Sequence, residues 1–226
     1  MLTDVHVTIA ACSTASAVIL CVAILLSSGQ DGMTAARWWL FSPFGLAVPT
    51  GILLTWPDML PGMWGPQLGW FGLTLAYGCA WTACRVSLGR AARPMAVLLP
   101  CAGVLLFNST VGMDSAMPEI RMMPRILLFG LFNALAAREF WRDARHQPPS
   151  AATLRWIMTV YATVDLARTP LALMLPGPLG AAPTQIWSLA LFSFALVLEG
   201  LLLSVFLTAL RREQVAARHL HLAMAD

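Results

Sequence analysis

Long apolar runs separated by short polar connections dominate the chain. A helix needs about 20 apolar residues to cross the hydrocarbon core of a bilayer, and seven segments come close to that length. The pattern therefore predicts an all-α membrane protein, a bundle of seven transmembrane helices. The predicted spans are residues 7–27, 37–56, 66–85, 94–111, 122–139, 153–175 and 184–210.

The arginines between these segments predict the orientation of the bundle. Cytoplasmic loops of membrane proteins carry an excess of basic residues. With the N-terminus outside, the outer connections and the span ends next to them hold only Arg121 and Arg125. The prediction is therefore an outer N-terminus and a cytoplasmic C-terminus. The arginines that fall on the cytoplasmic side are Arg37, Arg85, Arg90, Arg93, Arg138, Arg142, Arg145, Arg155, Arg211, Arg212 and Arg218.

Composition supports a membrane protein and argues against several kinds of chemistry. The 226 residues are 58% hydrophobic and only 11% charged, whereas soluble domains carry about 25% charged residues. A retinal Schiff base needs a lysine, and the sequence has none. The four histidines lie outside the predicted bundle interior, which argues against a haem. We expect no catalytic activity, no cofactor, no metal and no nucleic-acid partner in these residues, and the lipid bilayer as the main partner.

Four ionisable residues interrupt the later apolar runs: Arg125, Asp165, Arg168 and Glu199. A charge at the bilayer centre costs at least about 2.5 kcal/mol, so such residues usually face the bundle interior and find partners. Asp165 and Arg168 are three residues apart, on one helix face, and can pair. For Glu199, a proton-linked role and a neutral hydrogen-bonded carboxyl are both hypotheses.

Two interpretations of these residues remain open. In the first, they form a structural network that holds the fifth, sixth and seventh helices together. In the second, Arg125, Asp165, Arg168 and Asn108 line a cavity open to the outside. Two arginines against one carboxylate would leave positive charge for a small anionic ligand.

Methionines cluster on the predicted outer side of the bundle. Thioethers are soft ligands that suit Cu(I), but methionine more often fills irregular apolar gaps, and packing is the favoured interpretation. The set consists of Met59, Met63, Met113, Met117, Met122 and Met123.

The C-terminal stretch continues as a charged helix with a seven-residue repeat. Leu203, Leu210, Ala217 and Met224 recur at heptad spacing, although Glu213 interrupts the companion row. A heptad seam allows two helix copies to pair as a parallel coiled coil, which predicts a homodimer. The alternative is an amphipathic juxtamembrane helix at the membrane surface.

The last residues, "LHLAMAD", resemble the junction that leads into the GGDEF domain of bacterial diguanylate cyclases. In that family a helix ends in Leu-Ala-x-x-Asp and is followed by x-Leu-Thr-Gly-Leu-x-Asn-Arg. Leu222, Ala223 and Asp226 match the first part. The layout of the membrane region is also similar, including "ARWW" at 36–39 and Arg168 in the sixth span.

The resemblance implies a multi-pass protein of the bacterial inner membrane, truncated before its GGDEF domain. Residues 1–210 would be the seven-helix domain, and residues 211–226 a signalling helix leading to a missing cytoplasmic domain. That domain would make cyclic di-GMP from two GTP with Mg, so no catalytic residue carries over to this chain. These residues would then sense a signal and anchor the protein. The alternatives are a complete small transporter or permease-like protein and an anchor without a ligand.

Overall fold

The regular secondary structure of the described chain is helical. The computed structural model describes residues 2–28, 34–110, 118–142 and 148–223, and in these ranges it contains no β-strand beyond an isolated bridge between Pro176 and Ala182. The all-α prediction is confirmed. The helices are α1 (Leu2–Ser28), α2 (Ala35–Thr55), α3 (Trp64–Ser87), α4 (Pro94–Ser109), α5 (Pro118–Trp141), α6 (Pro149–Arg168) and α7 (Ile186–Ala223), with a short 3-10 helix at Pro57–Met59.

Each helix coincides with one predicted apolar segment, but the helices differ in apolarity. Four of the helices in the described ranges contain a stretch long and apolar enough to cross a membrane: Val7–Leu26, Ala35–Thr55, Ile120–Trp141 and Ile186–Ala217. Helix α4 is apolar but shorter, with 16 residues. The membrane character of the chain thus rests on these four long apolar helices.

Helix α3 packs against α2, α4, α5 and α7, and most of its residues are buried. Several of its buried residues are polar, among them Gln67, Thr74, Thr82 and Arg85. A helix surrounded by other helices can carry polar side chains because they find partners inside the bundle. This explains how the central helix accommodates its buried polar residues.

The sixth helix ends earlier than its apolar pattern predicts. The predicted span runs to residue 175, but α6 ends at Arg168. Pro170 lacks the backbone N–H that would continue the helix. Residues 169–185, here called the α6–α7 loop, fold back on themselves. Within this loop Ala181 N–H donates to the Ala172 carbonyl at 2.8 Å, and Gly177 N–H donates to the Ala182 carbonyl at 2.8 Å.

The seventh helix continues beyond the predicted span, into the charged stretch that the sequence analysis also expected to be helical. It runs without interruption from Ile186 to Ala223, across residue 210, where the sequence pattern placed the end of the span. The apolar and the charged parts of this segment therefore belong to one helix.

Close contact between α5 and α6 depends on Gly130. A Cβ atom added at this buried glycine would lie 2.8 Å from the Leu166 side chain and 3.1 Å from the Leu166 backbone nitrogen. The two helices can approach this closely only because the position has no side chain. Gly103 in α4 provides a contrast, since a Cβ there would meet nothing within 4 Å.

We expect Gly130→Leu to destabilise the bundle by about 1–3 kcal/mol, the usual cost of overpacking a core. The matched control Gly103→Leu should leave stability unchanged or slightly raised, because leucine favours helix more than glycine does. The measurement is the thermal unfolding midpoint of the detergent-solubilised protein. Equal midpoints for the two variants would contradict the close α5–α6 packing.

Candidate functional site

Arg125 lies in a buried polar cluster between α3 and α5, with 6% of its surface exposed. Its Nη2 donates to Gln67 Oε1 at 2.8 Å, and its Nη1 lies 3.7 Å from Met122 Sδ. The guanidinium also lies over the Trp70 ring, 5.4 Å from the centroid. Among the described residues no carboxylate forms an ion pair with Arg125. Within the described residues its charge is therefore met by an amide oxygen, a thioether and an aromatic face.

Asn108 of α4 lies beside this cluster and is only 1% exposed. Gln67 Nε2 donates to the Asn108 backbone carbonyl at 3.5 Å, while neither polar atom of the Asn108 side chain has a hydrogen-bond partner in the described part of the chain. Gln67, Asn108, Arg125 and Thr74 help to line a cavity of about 10 Å³. A space of this size holds about one water molecule. The arrangement can bind one small polar species but not a large ligand.

A second cluster joins α3, α5, α6 and α7 around Asp165. Arg168 Nη2 lies 3.2 Å from Asp165 Oδ1, and Asn133 Nδ2 donates to Asp165 Oδ2 at 2.9 Å. The carboxyl of Glu199 lies near the Asn133 amide and the Tyr77 hydroxyl. Asp165, Arg168 and Glu199 are thus brought together, with Asn133 and Tyr77 as neighbours that the sequence pattern did not reveal.

Aromatic rings separate the two clusters. The Arg168 guanidinium lies over Phe129 and Phe192, at 5.9 and 5.6 Å from the centroids. The Trp70 ring, over which the Arg125 guanidinium lies, packs against the same two rings with centroid distances of 6.5 and 6.3 Å. We call Trp70, Phe129 and Phe192 the aromatic wall. The four residues predicted to line one cavity therefore fall into two sets. Arg125 and Asn108 lie on one side of the aromatic wall, and Asp165 and Arg168 lie on the other.

A third buried cluster, which the sequence analysis missed, is centred on Glu139 of α5. Arg85 Nη1 contacts Glu139 Oε1, Arg90 Nη1 contacts Glu139 Oε2, and Arg142 Nη1 lies 3.9 Å from Oε2. The Arg85 Nε also donates to the Ala91 carbonyl at 3.2 Å. One buried carboxylate therefore joins the end of α3, the α3–α4 connection and the end of α5. The only signal in the sequence was a single Glu among the arginines that the orientation rule had counted.

The charged part of α7 binds the ends of three other helices. Ser150 Oγ donates to Glu213 Oε1 at 2.8 Å at the start of α6. Gln214 Nε2 donates to the Ser87 carbonyl at 3.2 Å at the end of α3. Arg211 Nη1 donates to Thr34 Oγ1 at 2.7 Å, immediately before α2. We call Arg211, Glu213 and Gln214 the α7 latch.

The heptad seam is divided between the bundle interior and the surface. Leu203 and Leu210 are 2% and 0% exposed and pack in the core of their own chain, whereas Ala217 is exposed. Among the seam residues whose burial the structure describes, Ala217 is thus the one open to a second copy. Of the family junction, Leu222 and Ala223 lie in the last turn of α7. Met224 and Asp226 lie outside the described residues.

The predicted methionine set does not form one cluster in the described chain. Met122 is buried against Ile126 and Ala172 and contacts Arg125, whereas Met59 and Met63 are exposed. Met113 and Met117 lie outside the described residues. In the described ranges Met122 therefore packs beside the guanidinium of Arg125, as the packing interpretation expects.

We expect Glu139→Gln to destabilise the protein by about 3–5 kcal/mol, because removing one partner of a buried ion pair leaves the remaining charges uncompensated. Arg142→Gln is the matched control, since the Arg142 side chain is 56% exposed and surface ion pairs contribute about 0–1 kcal/mol. Chemical or thermal unfolding in detergent measures both. A Glu139→Gln variant as stable as Arg142→Gln would contradict a structural role for this cluster.

Comparisons of the chain with protein-family models, with curated proteins and with solved structures gave no match.

Proposed function

We propose that this chain is the membrane input and anchoring module of a signalling protein, and that α7 relays the signal to a cytoplasmic domain. The observation that supports the proposal best is the length of α7. Its 38 residues correspond to about 57 Å at 1.5 Å per residue. About 20 residues are enough to cross the apolar core, so a long charged part of the same helix extends beyond it.

The contacts of α7 suit a relay. In its apolar part it carries Phe192 and Glu199, which contact Arg168 and the Asp165 cluster. In its charged part it carries the α7 latch, which binds α2, α3 and α6. A shift or rotation of α7 would therefore change both sets of contacts together. A signal can drive such a change only if it binds two bundle states with different affinity.

We further propose that all seven helices cross the bacterial inner membrane, with the N-terminus outside and the latch in the cytoplasm. The end of the bundle that holds the latch is rich in arginine. Here Arg85, Arg90 and Arg142 surround the Glu139 carboxylate. Arginine excess on the cytoplasmic side supports this orientation. Helices α3 and α6, with 24 and 20 residues, are long enough to cross, and their position against other helices accommodates their polar residues.

A GGDEF domain that condenses two Mg-bound GTP molecules into cyclic di-GMP is the proposed output. The resemblance of Leu222, Ala223 and Asp226 to the family junction supports it. Catalysis by facing domains requires a homodimer, and the exposed Ala217 of the heptad seam offers a position for pairing. The catalytic domain would hold GTP and Mg, and this chain would hold neither.

The Arg125 cluster is the proposed site for a small anionic ligand from the periplasm. The guanidinium lacks a carboxylate partner in the described chain, and the Asn108 side-chain amide beside it makes no hydrogen bond there. Both groups can donate to an anion. The cavity of about 10 Å³ limits the ligand to a species of about the size of water.

Topology is tested by cysteine labelling. In a cysteine-free background, Asp58→Cys should react with a membrane-impermeant maleimide in intact spheroplasts, because the α2–α3 connection is proposed to lie outside. Ala91→Cys, in the α3–α4 connection, should react only after the cells are opened. The opposite pattern would contradict the orientation, and equal labelling of both sites would contradict a crossing by α3.

The cyclase proposal is tested first by the natural coding sequence beyond Asp226. We expect it to continue into Leu-Thr-Gly-Leu-x-Asn-Arg and a GGDEF signature. In that full-length protein, Glu213→Ala combined with Gln214→Ala should change cellular cyclic di-GMP by about fivefold or more. Loss of about 1–2 kcal/mol of hydrogen bonding shifts a two-state equilibrium by a factor of about 5–30.

The control for the latch is Arg212→Ala, which removes an exposed charge between the latch residues. It should leave cyclic di-GMP unchanged at equal protein level. A double variant that behaves like Arg212→Ala would contradict the relay through the latch. A stop codon directly after Asp226 would contradict the cyclase proposal and favour the transporter.

A further inference from the structure

A large cavity lies between α1, α2, α3 and α7, at the end of the bundle where α7 begins. Its volume is about 690 Å³, within the range of about 300–1,000 Å³ that small-molecule sites occupy. The α6–α7 loop contributes Gly177, Pro178 and Ala181 to its wall. We propose that this cavity binds the hydrocarbon chain of a lipid.

The chemistry of the walls selects an apolar ligand. None of the described residues that line the cavity carries a charge. Most of its hydroxyls already donate to backbone carbonyls of their own helix, as Ser13, Thr14 and Thr55 do at 3.0, 2.9 and 2.6 Å. A polar ligand would find few partners here, and burying a polar group without one costs about 1–3 kcal/mol. A hydrocarbon chain has no such requirement.

Small side chains on α1 and α2 create the space. Ala10 and Ala17 of α1 face the cavity together with Ala47 of α2, while Phe44 and Leu196 supply larger apolar walls. An empty apolar space forfeits the dispersion contacts that its lining atoms would otherwise make. A chain of methylene groups restores those contacts along the full length of the cavity.

The surroundings of the cavity indicate where the ligand comes from. The outward face of α1 is apolar and exposed, with Ile19 and Leu26 at 66% and 78% exposure, in a stretch long and apolar enough to cross a membrane. A face of this kind borders lipid rather than water. The lipid chain therefore enters the cavity from the bilayer. It moves from the apolar interior of the membrane into a cavity that is also apolar.

The cavity shares side chains of its walls with the Arg125 and Asp165 clusters. Trp70 and Met122, which contact Arg125, line it, and so does Phe192, which lies under Arg168. A lipid chain in the cavity therefore contacts side chains that also contact the guanidinium groups of Arg125 and Arg168. That a lipid chain is also the signal relayed by α7 rests on the proposed function, whereas its binding does not.

The test is photo-crosslinking of the purified full chain in detergent. The probe is hexadecanoic acid that carries a diazirine in its chain, and labelled peptides are identified by mass spectrometry. We expect saturable labelling of the cavity-lining parts of α1, α2 and α7. Excess unlabelled hexadecanoic acid should suppress it, and butanoic acid should not.

Filling variants sharpen the test. Ala10→Phe or Ser193→Phe should lower labelling by about tenfold, the factor that corresponds to 1.4 kcal/mol of affinity. Ala23→Phe places the same ring on the exposed face of α1 and should leave labelling unchanged. Elution of each variant at the native position in size-exclusion chromatography verifies its fold. If neither filling variant folds, the labelling of the native protein and its suppression by hexadecanoic acid test the proposal.

Three results would overturn the proposal: no labelling, labelling that excess hexadecanoic acid does not suppress, or labelling confined to the outward face of α1. The last two would show ordinary contact with surrounding detergent or lipid. Because the readout is binding and not cyclic di-GMP, each result holds whether or not a cyclase domain follows the chain. A filled cavity with normal cyclic di-GMP output would contradict only the signalling role of the lipid.

Discussion

The requirement that every charged side chain inside an apolar bundle find a partner governs this structure. Arg125 and Arg168 lie on opposite sides of the aromatic wall. The Arg125 guanidinium lies over Trp70, and the Arg168 guanidinium lies over Phe129 and Phe192. Cation–π contacts gain strength where water is excluded. Because the wall is built from α3, α5 and α7, stabilising these two charges also fixes the spacing of those helices.

Helix α7 gives the bundle its continuity from one end to the other. It lines the apolar cavity near its start, contributes Glu199 to the Asp165 cluster in its middle, and binds three helix ends through the latch. The Asp165 cluster, the latch and the cavity are not independent features, because one continuous helix contributes to all three. A shift of α7 at the cavity would therefore also move the latch, from which the helix continues towards the proposed cytoplasmic domain.

Much of the fold could be predicted because apolar length is a local property. Seven segments became seven helices, and the Asp165–Arg168 spacing corresponds to an observed ion pair. The sequence pattern did not predict the end of α6 at Arg168, because apolar residues continue to 175. The signal for the helix end was Pro170, which has no backbone N–H to continue the helical hydrogen bonds. The seam was only partly informative, since heptad spacing marks an apolar face without saying whether another chain or the same bundle covers it.

The sequence by itself determined the helices, the apolar spans and the identities of the charged residues that need partners. Only the tertiary structure decided which partners they found: Gln67 for Arg125, Asn133 for Asp165, and Glu139 for Arg85 and Arg90. These pairs lie 32 to 58 positions apart along the chain. Helix periodicity reports which face of a helix is apolar but carries no information about which helix lies opposite. Packing between helices makes that choice, and it also leaves the cavity that no stretch of sequence encodes.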